Sequence, residues 1–190
     1  MAKAGQIIEH PITGEIITFL KTARDTHGEL LQMDFVCKPN RARLVPHLHE
    51  VQEERFEVIS GRLAVRIGGP KQIQILLPGQ SAVVPPGAVH AWWNDGDEDM
   101  HCILEIRPAL KSEIAFEATF GLAQDGKVNH QGIPKNIWEL ALLADLSKSY
   151  FPGVPVALQK ILFKGFSGLA KWRGYSPDFP QYSEPLTGSV

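Results

Sequence analysis

His47 and His49 stand one residue apart, and Glu54 follows closely in the stretch PHLHEVQEERFEVISG, residues 46–61. In an extended chain residues two apart face the same way, so both imidazoles project from one face while Leu48 points to the other. After the short connection EVQE the next strand begins at Glu54, which can lean toward the same interior. A third imidazole is available from GQSAVVPPGAVHAWWN, where His90 follows a Pro-Gly turn that would aim its strand inward. Three imidazoles and one carboxylate make a mixed nitrogen and oxygen donor set suited to borderline divalent metals: Fe, Mn, Ni, Co, Cu or Zn. On a six-coordinate ion such a set leaves two positions for water, oxygen or substrate, which Lewis-acid or redox chemistry requires. A purely structural site usually closes with four soft or nitrogen ligands instead. Glu50 and Glu53 are poorer candidates, because Glu53 has the wrong strand parity against Glu54 and Glu50 falls in the turn.

These residues must be positioned by a sheet. Up to about Arg107 the chain is a series of short runs rich in β-branched and aromatic residues: EIITFL, LLQMDFV, RFEVIS, RLAVRI, QIQILL, SAVV and CILEI. Turn signals such as KPN, SG, IGGP, LPGQ, PPG and NDGDED separate them. Many short strands without an intervening helical pattern predict a sandwich or barrel. The stretch ERFEVISGRLAVRIGG reads as a hairpin turning at Ser60-Gly61. From Ser112 the periodicity becomes helical: SEIAFEATFGLAQDG starts with a serine suited to the N-cap. PKNIWELALLADLSKSYF follows, and then PVALQKILFKGFSGLAKW, whose Leu158, Ile161, Leu162, Phe166 and Leu169 recur at helical spacing despite Gly165 and Gly168. Lys160, Lys164 and Lys171 beside that face are the pattern of a membrane-surface helix; packing on the barrel or at a subunit interface is the role expected. The organisation predicted is an all-β domain over residues 1–110 and a helical extension over 111–190, packed on the barrel, with an irregular tail.

Two stretches, in order, resemble the signature motifs of the cupin superfamily. The first is His47-X-His49, four residues, Glu54, six residues, Gly61. The second is Gly79, five residues, Pro85-X-Gly87, two residues, His90, three residues, Asn94. The glycine often found before the first histidine pair is absent, with NRARLVPHLH in its place. The resemblance covers roughly residues 40 to 107 and implies a double-stranded β-helix, an RmlC-like jelly-roll barrel. It implies His47, His49, Glu54 and His90 as ligands of a divalent metal, Gly61, Pro85 and Gly87 as turn residues, and Asn94 as structural. It further implies an enzyme acting on a small organic molecule, dioxygenase-like first and isomerase- or cyclase-like second, with Glu54 able to loosen and act as base. The competing reading is a binding or sensor module without turnover. A homodimer through barrel edges is expected as well.

Strand parity suggests a pocket lining. Phe56 shares a face with Glu54 and Trp92 with His90, while Met33 and Phe35 can reach the same interior from an earlier strand; core and lining roles are equally open for Phe56 and Trp92. Arg43 has the parity of His47, which allows a grip on an anionic substrate, although a rim position is the plainer reading. The chain's 190 residues, 44% apolar and 21% charged, fit an ordinary globular protein of net charge −2. Lysines and arginines are scattered, which argues against nucleic acid as a partner. MAKAGQIIEH does not read as a secretory signal, and no apolar run reaches the ~18 residues of a membrane span. A cytoplasmic location with free Cys37 and Cys102 is therefore expected.

Overall fold

A computed structural model describes residues 1–39 and 45–184. Its first half runs through β1 (Ile7–Glu9), β2 (Ile16–Lys21), β3 (Leu31–Cys37), β4 (Leu48–His49), β5 (Glu53–Ser60), β6 (Leu63–Ile67) and β7 (Ile73–Leu76). The second half holds β8 (Ser81–Val84), β9 (His90–Asn94), β10 (Met100–Arg107), α1 (Ser112–Gln124), α2 (Ile137–Ser147), β11 (Ser149–Tyr150) and α3 (Val156–Trp172). One sheet has the order β1-β2-β3-β10-β5-β8 and a second the order β7-β6-β9, while β4 pairs with β11. This is the cupin jelly roll with a helical appendage.

Alternation drives the assembly. Along β3 and β10 every second side chain is buried, as expected when one face of an antiparallel sheet meets a core. The antiparallel register sets Leu104 opposite Met33 and Phe56, and Cys102 opposite Phe35 and Val58. Leu63, Val65 and Trp92 from the smaller sheet join the same core. Phe35 meets Trp92 edge to face at 5.1 Å. Cys37 and Cys102 are free and buried, and burial pushes the Cys102 thiol up to about 12.

The Ser60-Gly61 turn is not a hairpin. β5 pairs with β10 and β8, whereas β6 pairs with β7 and β9, so the chain crosses from one sheet to the other at this point. Gly61 makes the corner at φ 76°, and a Cβ there would lie 2.8 Å from Asp99 O and Met100 Cα. Asn94 braces the same corner: its side-chain amide donates to Cys37 O and Glu98 O, both at 2.8 Å, and its Oδ1 accepts from Gly96 N at 2.8 Å.

The helices depart from expectation in two places. Lys111 occupies the N-cap of α1 without a side-chain hydrogen bond; the Ser112 hydroxyl instead accepts from Gln52 Nε2 at 2.9 Å. Asn136 does cap α2, accepting from Trp138 N at 2.9 Å. α2 buries Ala141, Leu142 and Leu143, the last two in a satellite core with Ala118, Leu122, Ala170 and Phe179. α3 buries Gln159, Ser167 and Ala170 and leaves Leu158, Ile161, Leu162, Phe166 and Leu169 exposed. Of the two roles expected for this apolar stripe, packing on the barrel is thus corrected, while a place at a subunit interface stands as an expectation.

Candidate metal centre

Four side chains from separate elements meet at one end of the barrel. His47 and His90 are held side by side by two backbone bonds, His47 N to His90 O at 3.0 Å and His90 N to His47 O at 2.8 Å. His49 lies in β4, whose partner β11 comes from the helical appendage. The PPG turn docks on the same strand, Gly87 N donating to His49 O at 2.7 Å. Glu54 projects inward from β5 with Phe56 and Val58, all three buried.

One donor atom from each of the four lies within 4.8 Å of every other. His47 Nε2 is 3.2 Å from His49 Nε2, His49 Nε2 is 3.2 Å from Glu54 Oε1, and His90 Nε2 is 3.1 Å from Glu54 Oε2. Adjacent donors on bonds of about 2.1 Å to one ion stand roughly 3 Å apart. Glu54 Oε2 and His90 Nε2 are buried yet lack a hydrogen bond of acceptable geometry, a costly arrangement for two polar atoms unless something satisfies both. The opposite ring nitrogens are anchored: His47 Nδ1 faces Val45 O at 2.9 Å, His90 Nδ1 faces Ala88 O at 3.1 Å, and His49 Nδ1 faces Ser149 Oγ at 3.4 Å. Backbone carbonyls accept, so they fix the Nδ1–H tautomer of His47 and His90 and leave their Nε2 lone pairs aimed at the common point.

The electrostatics suit the same purpose. Burial, with the nearby histidines, pushes His47 down to about 4, so its imidazole is neutral. Burial opposes the charge on Glu54, but the adjacent His49 and His90 rings prevail, holding the carboxyl well below the usual range. Burial lowers His90 in turn, and the adjacent Glu54 carboxylate reverses that, raising it overall. The group is a set of three imidazoles and one carboxylate that could hold a divalent metal.

Beside it lies a cavity of about 240 Å³ whose wall includes His47, His49, Glu54, Phe35, Trp92, Phe116 and Phe120. A second chamber of about 540 Å³ adjoins it, sharing Glu15, His47, Ala115, Thr119, Ser147 and Ser149 and extending under Leu140, Leu143, Phe151 and Phe163. Of the pocket residues expected from parity, Phe35 and Trp92 line the inner cavity. Met33 and Phe56 are fully buried in the core and lie outside both linings. Arg43 lies outside the described residues.

Sequence reasoning passed over Glu15 and Ser149. Ser149 belongs to the appendage, and no spacing rule ties it to His49, a hundred positions away. Glu15 precedes His47 by more than thirty residues; its one local sign is a carboxylate immediately before the apolar run IITFL. It faces both chambers, accepts from Thr13 Oγ1 at 2.7 Å, and is raised by burial more than that bond lowers it. Because the folded pKa is raised, stability is greatest where Glu15 is protonated in both states and falls as pH rises through the folded value. Glu15→Gln should therefore raise the melting temperature at pH 8 and leave it nearly unchanged at pH 4, a difference readable by calorimetry. An equal effect at both pH values would mean that the carboxylate carries no such cost.

Residues 33–106 match the family model described as Cupin domain. No curated protein matches the chain. Among solved structures, an RmlC-like cupin from Shewanella frigidimarina is similar at 21% identity, over 60% of this chain and 94% of that one, with a TM-score of 0.48. The polyketide cyclase RemF from Streptomyces resistomycificus is similar at 18% identity, over 57% and 78%, with a TM-score of 0.47. A predicted oxalate decarboxylase from Thermotoga maritima is similar at 15% identity, over 57% and 98%, with a TM-score of 0.47.

Proposed function

We propose, for a chain whose residues 33–106 form a cupin domain, a metal-dependent enzyme that acts on a small, largely apolar organic molecule, oxygenase-like in its chemistry. The observation that carries this reading is the convergence of three imidazoles and one carboxylate, all from the barrel, on the wall of a largely apolar cavity. His47, His49, Glu54 and His90 are its ligands in this proposal. When bound, the metal supplies Lewis-acid polarisation of a substrate oxygen or nitrogen and, if redox-active, electrons for dioxygen.

The chain's own groups do the rest. Phe35, Trp92, Phe116 and Phe120 exclude water and hold a flat or branched apolar body against the ligand set. Ser149 orients His49. Both oxygens of Glu54 are engaged by histidines, so proton handling passes to Glu15, whose carboxyl stands in the cavity with a raised affinity for protons. In this reading residues 1–110 are the barrel unit and 111–190 the appendage, whose helices enclose the outer chamber.

The test is turnover. Protein reconstituted anaerobically with ferrous iron is mixed with phenolic and enolisable 1,3-dicarbonyl compounds, and oxygen uptake is followed. Uptake that needs both the metal and one of the compounds, and that His49→Ala loses, is the expected result. Quenching of Trp92 fluorescence by a compound, without oxygen uptake or a new product for any metal in the series, would transfer the site to the second reading, a ligand-binding module.

A further inference from the structure

We propose that the outer chamber is a binding subsite for a neutral apolar molecule bearing a carbonyl group, with His10 as the hydrogen-bond donor that selects the carbonyl. As a substrate subsite it rests on the function proposed above; as a binding site it needs no metal. The volume of about 540 Å³ is that of a small-molecule site, and so is the make-up, mostly apolar wall with a few polar groups. Leu140, Leu143, Phe151 and Phe163 come from the helical appendage, whereas His10, Thr13 and Glu15 come from the turn between β1 and β2. None of these residues belongs to the two histidine motifs.

The β1–β2 turn prepares the donor. Thr13 N donates to His10 Nδ1 at 3.1 Å. A doubly protonated ring could not accept there, so the imidazole is neutral and carries its proton on Nε2. Burial favours the same form, pushing the ring's pKa below its ordinary value. His10 is only 2% exposed and meets Phe120 edge to face at 5.2 Å, so packing holds the ring in place. No other residue among those described accepts from Nε2, a costly state for a buried donor unless something in the chamber completes it. Gly132 leaves that edge of the ring uncovered: a Cβ there would lie 3.3 Å from both Cε1 and Nε2. Charge then selects the acceptor. Among the described residues no lysine or arginine lines the chamber, and Glu15, joined to the same Thr13 through its hydroxyl at 2.7 Å, would repel an anion once ionised. A carboxylate or phosphate would therefore be buried without a counter-charge, whereas a carbonyl oxygen accepts the Nε2 proton and brings no charge with it.

The experiment is isothermal titration of the full chain, near neutral pH, with methyl pentyl ketone, methyl heptyl ketone and octanoate, the last two sharing a heptyl tail. Methyl heptyl ketone should bind at least about tenfold more tightly than methyl pentyl ketone, because each buried methylene contributes roughly three- to fourfold. His10→Asn keeps an acceptor for Thr13 N and removes the Nε2 donor, and it should weaken the ketone about fivefold or more. His10→Gln, which carries an N–H at the longer reach, should recover most of that loss. His49 does not line the outer chamber, so His49→Ala should bind the ketone within about threefold of wild type. In that variant, where an anion gains least from a metal, octanoate should bind at least about tenfold more weakly than the ketone. The subsite is thus tested whether or not the donor cluster holds metal. Absence of ketone binding, equal affinity for the two ketones, octanoate as tight as the ketone in His49→Ala, or His10→Asn as tight as wild type would each overturn the proposal. Ketone binding that His49→Ala abolishes would place the carbonyl at the donor cluster and equally overturn it.

Discussion

His49→Ala is expected to bind a divalent transition metal at least about a hundredfold more weakly than wild type, measured by competition titration. The reason is local. His49 Nε2 faces both His47 Nε2 and Glu54 Oε1 at 3.2 Å, so its loss removes a donor and leaves Glu54, a buried carboxylate, with fewer partners for its charge. Removing a group that merely orients a ligand commonly weakens metal binding about 10- to 100-fold, and a ligand itself should cost no less. Ser149→Ala supplies the graded comparison: it leaves all four donors and removes only the hydroxyl near His49 Nδ1. It should lose about tenfold, at the low end of that range. Equal affinity for wild type and His49→Ala would remove His49 from the ligand set.

The second large effect concerns the barrel rather than its ligands. Gly61→Ala should lower stability by about 3 kcal/mol, because a left-handed backbone costs an L-residue roughly 1–2 kcal/mol and forced displacement of packed neighbours typically adds about 1–3. In a chain of this size that corresponds to a melting temperature lower by roughly 6–12 °C. The contact decides the magnitude: the added methyl would sit 2.8 Å from backbone atoms of Asp99 and Met100, which cannot rotate away as a side-chain tip could. Gly79 is the control, with φ 81° and nothing within 4 Å of its notional Cβ. Gly79→Ala should show only the backbone part, about 1–2 kcal/mol. Equal losses at the two sites, by thermal or urea unfolding, would show that the corner at Gly61 carries no special packing demand.

These two cases also mark what the sequence made legible. The strand runs were readable because period-two alternation is a local property, and the structure places strands on all seven of them. The donor cluster was readable for the same reason: His47 and His49 share parity, and the turn residues around His90 restrict where its strand points. The partner of a strand is a long-range property. RFEVISGRLAVRI looks like a hairpin at short range, yet β5 and β6 belong to different sheets, and only the packing of the whole barrel decides that. The same limit hid Ser149 and Glu15, which reach the donor cluster and its cavity from beyond the two motifs. It also put Met33 in the lining when it lies in the core and left Phe56 undecided, since parity says which face a residue occupies but not whether that face is cavity or core at a given depth. For α3 the periodicity was correct, and of the two roles expected it was packing on the barrel that failed. An apolar stripe ordinarily faces the protein, and here buried Gln159 and its three bonds to the preceding loop turn it outward.

The central claim is that His47, His49, Glu54 and His90 hold a metal ion, and elemental mass spectrometry tests it most directly. Untagged protein purified without added metal should contain close to one divalent transition ion per chain. His90→Ala, which removes a fully buried imidazole 3.1 Å from Glu54, should contain far less. A wild-type chain that carries no metal, even after anaerobic reconstitution with each candidate ion, would contradict the account and leave a barrel that binds its ligand without one.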